Sequence, residues 1–193
     1  MTTTIEPELI RRAAEGDSRA MAALLTDVRP GLVRYCRARL GRIGGAYTTA
    51  DDVAQEICLA VLRALPRYHD QGTPFSAFVY AIAGHKVADA QRAAARAAAV
   101  TATADAPLDT PDAGPGPEQQ AVATDLARRL SVLLDRLPDA QREIVLLRVA
   151  VGLTAEEVGA IVGMTAAAVR VTQSRALARL RTLAGDTLDE VAA

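Results

Sequence analysis

The chain has 193 residues, a formal net charge of −1, and is half apolar by count. Alanine alone supplies 41 residues, Trp is absent, and the six aromatics (Tyr35, Tyr47, Tyr68, Phe75, Phe78 and Tyr80) all fall between positions 35 and 80. That distribution excludes one large core, which would scatter its aromatics, and points to a small aromatic-bearing module beside an aromatic-free one.

Strand signals are nearly absent, and apolar residues recur at helical spacing along the chain. Leu9, Ile10, Ala13 and Ala14, then Met21, Leu24, Leu25 and Val28, predict one or two short helices broken near Gly16-Asp17-Ser18. Pro30 suits the first position of a further helix, which Gly41, Gly44 and Gly45 end. The next helix begins at Thr49 or Ala50, carries Asp51 and Asp52 in its first turn where the dipole favours carboxylates, and stops at Pro66. Residues 67–74 read as a loop, and a long helix follows to about Ala97 with Phe75, Phe78, Val79, Ile82 and Val87 inward.

Residues 98–118 hold four Pro, four acids and no basic residue. Such a composition cannot bury a core and reads as a linker. A second helical module spans 119–193. The stretches on either side are basic in part: 1–97 has a net charge of +3, and 165–183 holds Arg170, Arg175, Arg179 and Arg181 with no acid. The nearly neutral total therefore hides two basic faces. Cys36 and Cys58 are too few for a disulfide framework, and a buried thiol is the reading for Cys58. The N-terminus has no basic region followed by an apolar run, and no stretch approaches 18 apolar residues, so the expectation is a soluble, cytoplasmic chain.

Residues 154–181, TAEEVGAIVGMTAAAVRVTQSRALARLR, carry the clearest local motif. Thr154 and Glu157 form a capping box. Gly159 sits where two helices approach, Gly163 where a tight turn needs positive φ, and Thr165 can cap the second helix. With Val158, Ile161 and Val169 inward, this is the spacing of a DNA-reading helix-turn-helix. Its second helix offers Thr165, Arg170, Gln173, Ser174, Arg175 and Arg179 to DNA: Arg can fork onto guanine or clamp phosphate, and Gln can pair with adenine.

Two further faces stand out. Asp52, Gln55, Glu56, Leu59 and Arg63 share one side of the helix after Ala50, away from Val53, Ile57 and Val61. A metal site would need a second acidic or His cluster, which the sequence lacks. A docking face for a protein, with polar residues around Leu59, is preferred over a merely solvated one. Near the aromatic loop, Tyr68 and Tyr80 precede a stripe of His85, Asp89, Arg92 and Arg96 with Lys86 beside it. Aromatic stacking plus phosphate contact is how single-stranded nucleic acid is held.

These blocks, in order, resemble a small sigma factor of the extracytoplasmic-function group of bacterial RNA polymerase sigma factors, most like the actinobacterial sigma-D-like subgroup: ADDVAQEICLAVLRALPRY (50–68), FSAFVYAIAGHKVADAQR (75–92), the Pro-rich linker, and LPDAQREIVLLRVAVGLTAEEVGAIVGMTAAAVRVTQSRALARLR (137–181). The resemblance implies an all-α protein of two small helical domains, sigma region 2 (1–97) and region 4 (119–193), joined by a flexible linker (98–118). It implies no enzyme activity, no cofactor and no metal. Asp52, Gln55, Glu56, Leu59 and Arg63 would dock on the β′ clamp helices of core RNA polymerase. Tyr68, Tyr80, His85, Lys86, Asp89, Arg92 and Arg96 would handle the −10 element. Region 4 would sit by the β flap and read the −35 element of promoter DNA, leaning on Arg170, Gln173 and Arg175. An anti-sigma factor is admitted as a further partner, and the free protein would be a monomer. Gly84 and His85 stand where the family often has Arg-Asn, and Thr172 where a basic residue is common, so base choice should differ. The competing reading is a stand-alone helix-turn-helix regulator, which would bind duplex DNA without polymerase.

Overall fold

The computed structural model describes residues 5–41, 48–69, 72–101, 126–127 and 129–192, with the side chains of 48, 98–101 and 186–192 left aside. Every regular element among them is helical. The chain divides into two units, Met1–Thr110 and Pro111–Ala193.

In the first unit, helix α1 is Pro7–Ala14 and α2 is Ser18–Leu40. Asp17 starts α2 by accepting the backbone N–H groups of Arg19 and Ala20 at 2.9 and 3.1 Å, which satisfies two of the donors a helix start leaves open. Gly41 ends it at φ 67°. The expected new start at Pro30 is corrected: Pro30 lies inside one continuous 23-residue helix. A proline there removes a backbone bond and crowds the preceding turn. The helix survives because Leu24, Val28, Leu32, Tyr35 and Cys36 are all buried on one stripe running straight past it, while the Pro30 ring faces solvent.

Helix α3, Thr48–Ala64, ends in a single 3-10 turn, Leu65–Arg67. Helix α4 is Phe75–Thr101, four residues longer than the sequence pattern suggested, since the Ala-rich run 93–99 favours helix. Helix α2 packs against α1, α3 and α4, and α3 against α4. Val53, Ile57 and Val61 bury the inner face of α3. Cys36 and Cys58 are both buried free thiols, and burial pushes the Cys36 thiol up to about 12, far from a reactive thiolate. Apart from 98–101, the segment read as a linker lies outside the described residues.

The second unit begins, among the described residues, with helix α5, seen over 126–127 and 129–135. Helix α6, Asp139–Val145, runs into a π-turn, Leu146–Val151, that the sequence did not suggest. There the Gly152 and Leu153 N–H groups both donate to Leu147 O, at 3.1 and 3.0 Å. Gly152, at φ 93°, lets the chain leave the turn. Helices α7, Ala155–Val162, and α8, Ala166–Ala192, complete the unit, and α6 and α7 both pack on α8. Ile144, Leu147, Val158, Val169 and Ala176 form its fully buried centre.

Candidate nucleic-acid interface

The α7–α8 pair is built by local chemistry that the sequence announces. Thr154 Oγ1 accepts the Glu157 N–H at 3.1 Å, and Glu157 Oε2 accepts the Thr154 N–H at 2.8 Å, so the capping box closes. Gly163 turns at φ 71°, and the Met164 N–H donates to Gly159 O at 2.9 Å. A Cβ on Gly159 would lie 2.5 Å from Met164 O, so only glycine permits this turn. Thr165 Oγ1 accepts the Ala168 N–H at 3.2 Å, and Val158 and Val169 close the core beneath. Ile161, expected inward, is only half-buried.

The residues expected to face DNA divide in two. Arg170, Ser174, Arg175 and Arg179 are exposed on α8, and Thr165 is exposed at its cap. Arg170 reaches back to Glu156 on α7 at 2.6 Å, an ion pair that, with a backbone hydrogen bond as the larger cause, holds the Glu156 carboxyl below its ordinary range. Gln173 is half-buried, and its Oε1 accepts from Arg148 Nε at 3.0 Å. Arg148, on the π-turn, also donates to Leu153 O. Sequence reasoning missed this tie because it depends on the π-turn's extra residue, which shifts the helical phase.

On α3, Asp52, Gln55, Glu56, Leu59 and Arg63 are all exposed on one side, with Leu59 at 45 %. The neighbouring carboxylate does not join them: Arg37 donates to both oxygens of Asp51 at 2.8 and 2.6 Å. Glu56 pairs with Lys86 of α4 at 3.2 Å, so this pair links the proposed docking side to the helix behind it. Among the described residues, no three His, Cys, Asp or Glu side chains converge as a metal-binding set.

The aromatic region needs two corrections. Tyr80 is buried, at 7 % exposure, with its ring edge-on to Tyr35 at 5.4 Å. It shares the inward stripe of Ala83 and Val87, three and seven residues on, and so presents no ring for stacking. Phe78 moves the other way. Expected inward, it is half-buried and lines an open cleft of about 380 Å³ with Arg67, Tyr68, His69, Thr73, Pro74 and Ala77. The ring of Tyr68 stands 5.2 Å from Phe75 and 5.0 Å from Phe78. Phe78, Ala81, His85, Asp89, Arg92 and Arg96 follow one another at spacings of three or four, so the cleft opens onto a single helix face. His85, Asp89, Arg92 and Arg96 are exposed on that face, with Arg92 paired to Asp89, and Lys86 stands half-exposed beside it. The same spacing, applied to Phe78 rather than Tyr80, would have found the cleft from sequence.

Among the described residues the chain thus holds two helical units, one with a complete helix-turn-helix and one with an aromatic cleft leading to a helix face that carries His85, Asp89, Arg92 and Arg96. Residues 24–97 match the family described as Sigma-70 region 2, and residues 133–182 the family described as Sigma-70, region 4. The chain is 54 % identical over 184 residues to the ECF RNA polymerase sigma factor ShbA of Streptomyces griseus, covering 94 % of this chain and 96 % of ShbA. It is 53 % identical over 173 residues to the ECF RNA polymerase sigma factor SigD of Mycobacterium tuberculosis, covering 90 % of this chain and 81 % of SigD. The solved structure of CnrH in complex with the cytosolic domain of CnrY superposes with a TM-score of 0.67 at 25 % identity, covering 93 % of this chain and 96 % of that one.

The chain belongs to the extracytoplasmic-function RNA polymerase sigma factors, in the sigma-D-like subgroup. Sigma factors are transcription initiation factors rather than enzymes, and act with core RNA polymerase on promoter DNA. No helix among the described residues is long and apolar enough to cross a membrane.

Proposed function

We propose a division of this work among named faces. Region 2 (1–97) docks on the clamp helices of polymerase through Asp52, Gln55, Glu56, Leu59 and Arg63. It handles the opened −10 element with the Tyr68 cleft and the His85, Lys86, Asp89, Arg92 and Arg96 face. Region 4 (119–193), placed by the β flap, reads −35 duplex with Thr165 at the start of α8 and Arg170, Ser174, Arg175 and Arg179 along it. Gln173 serves here as a support tied to Arg148, not as a first reader. The observation that carries the assignment is the α8 face: a helix started by the Thr165 cap after the Gly163 turn, exposing arginines with no acid from 165 to 183. Arginine there supplies both phosphate contact and guanine readout.

The setting proposed is the cytoplasm, where polymerase and promoters are. CnrH, 31 % identical to this chain over 181 residues, is solved with a protein domain bound. An anti-sigma partner is proposed here on that likeness.

Run-off transcription with purified core polymerase tests the whole reading. The protein should add promoter-specific transcripts on genomic templates, and their absence would sink it. The docking face has its own test. Asp52→Arg with Gln55→Ala should weaken core binding about tenfold or more, the effect of ~1.4 kcal/mol, and leave the melting temperature nearly unchanged, because both side chains are exposed. Unaltered affinity would remove the assignment.

A further inference from the structure

The outer face of α8 is sorted by size. Val169 and Ala176 are fully buried and fix the inward direction of the helix. At about 3.6 residues per turn, Ala167, Val171, Ser174 and Ala178 fall on the opposite side, and all four are exposed. Arg170 flanks this lane on one side and Arg175 on the other. Gln173 lies outside it, turned toward Arg148. Because an arginine can only donate, it is the amide oxygen of Gln173 that faces Arg148, and the side chain would have to turn away from Arg148 to pair with adenine through both amide atoms.

Val171 is the one residue of the lane that carries apolar bulk beyond Cβ, and it is 49 % exposed. Neither packing nor propensity accounts for it. It is not in the core, and a β-branched residue is a poorer helix former than alanine. We propose that Val171 is a specificity-determining residue that contacts the C5-methyl of a thymine in the major groove of the upstream promoter duplex. The thymine methyl is the apolar mark of an A·T pair in that groove, and small apolar side chains recognise it. The slim Ala167, Ser174 and Ala178 let the helix approach closely. The two arginines reach the groove walls, on phosphate or guanine. The inference rests on the −35 reading given above.

The test uses holoenzyme assembled from the full chain. Holoenzyme first selects its preferred duplexes from a library randomised across the upstream element. Each thymine of the recovered duplex is then replaced singly by deoxyuridine, which lacks only the methyl. The wild-type holoenzyme should lose about fourfold in affinity at one thymine, the worth of one buried methyl group. Val171→Ala should bind the thymine duplex about as weakly as wild type binds the deoxyuridine duplex, and should show no further loss on that replacement. Its melting temperature should match or slightly exceed wild type, since alanine is the better helix former. Tolerance of deoxyuridine at every position, a recovered duplex without thymine, or undiminished deoxyuridine sensitivity in Val171→Ala overturns the proposal and leaves the −35 reading standing. Failure of that reading looks different: no upstream duplex is enriched, or enrichment survives Arg170→Ala with Arg175→Ala, and either result overturns both.

Discussion

Gly159 and Asp51 show how differently two single residues constrain the molecule. The atom that a Cβ at Gly159 would strike, 2.5 Å away, is the backbone carbonyl oxygen of Met164. A backbone oxygen cannot rotate aside as a side chain can, so the turn itself must move. Gly159→Ala should destabilise the second unit by about 1–3 kcal/mol, the usual cost of overpacking, read as a lower denaturant midpoint. Asp51 acts through charge. The Arg37 guanidinium bonded to both its oxygens holds its carboxyl below the ordinary range. A carboxyl with a depressed folded pKa adds stability that is complete above the unfolded value and is lost as pH falls through the folded one. The side chains of Arg37 and Asp51 are 45 % and 41 % exposed, so the contribution is at most about 1 kcal/mol. Asp51→Asn should lower stability at neutral pH by no more than that and flatten its decline below about pH 4, followed by melting temperature against pH.

Elements differ in how far their causes lie along the chain, and this decided what could be read from sequence. The capping box of α7 joins residues three apart, so Thr154, Glu157 and the turn glycines were legible. Thr154→Ala should cost about 1 kcal/mol, measurable by thermal melting. Helix α2 has a distant cause. Its passage through Pro30 depends on a buried stripe covered by α1, α3 and α4, which no local pattern shows. Since the Pro30 ring is exposed, Pro30→Ala should raise stability by as much as about 3 kcal/mol, and an unchanged midpoint would mean that the helix has already absorbed the defect. The π-turn was hidden for a related reason: its extra residue breaks the regular helical period. Everything placed by that shift, above all the Arg148–Gln173 bond, was hidden with it. In α4 the expected inward Phe75, Val79 and Val87 are buried, but Tyr80 is buried with them while Phe78 and Ile82 are only half-buried; helical spacing gives the direction of such a stripe and not its edges. The exposed side of α3 and the arginine face of α8 were legible as surfaces because each is a run of polar residues at helical spacing on a helix whose apolar stripe is unmistakable.

At the scale of the whole molecule, each unit has its own buried centre, Leu24 to Val87 in one and Leu134 to Ala176 in the other. Chains of more than one unit need not unfold in a single step. Tyrosine absorption and emission come only from the first unit, because every tyrosine lies at or before position 80, whereas far-ultraviolet circular dichroism registers helices in both. Gly159→Ala should therefore lower the midpoint of part of the dichroism signal and leave the tyrosine transition where it was. A tyrosine transition that shifts equally would mean that the two units melt as one. The partition of aromatics also has an optical consequence. The half that carries the helix-turn-helix is dark in the near ultraviolet, so intrinsic tyrosine emission can watch the region 2 half alone. A single tryptophan placed on α8 would give the other half a colour of its own.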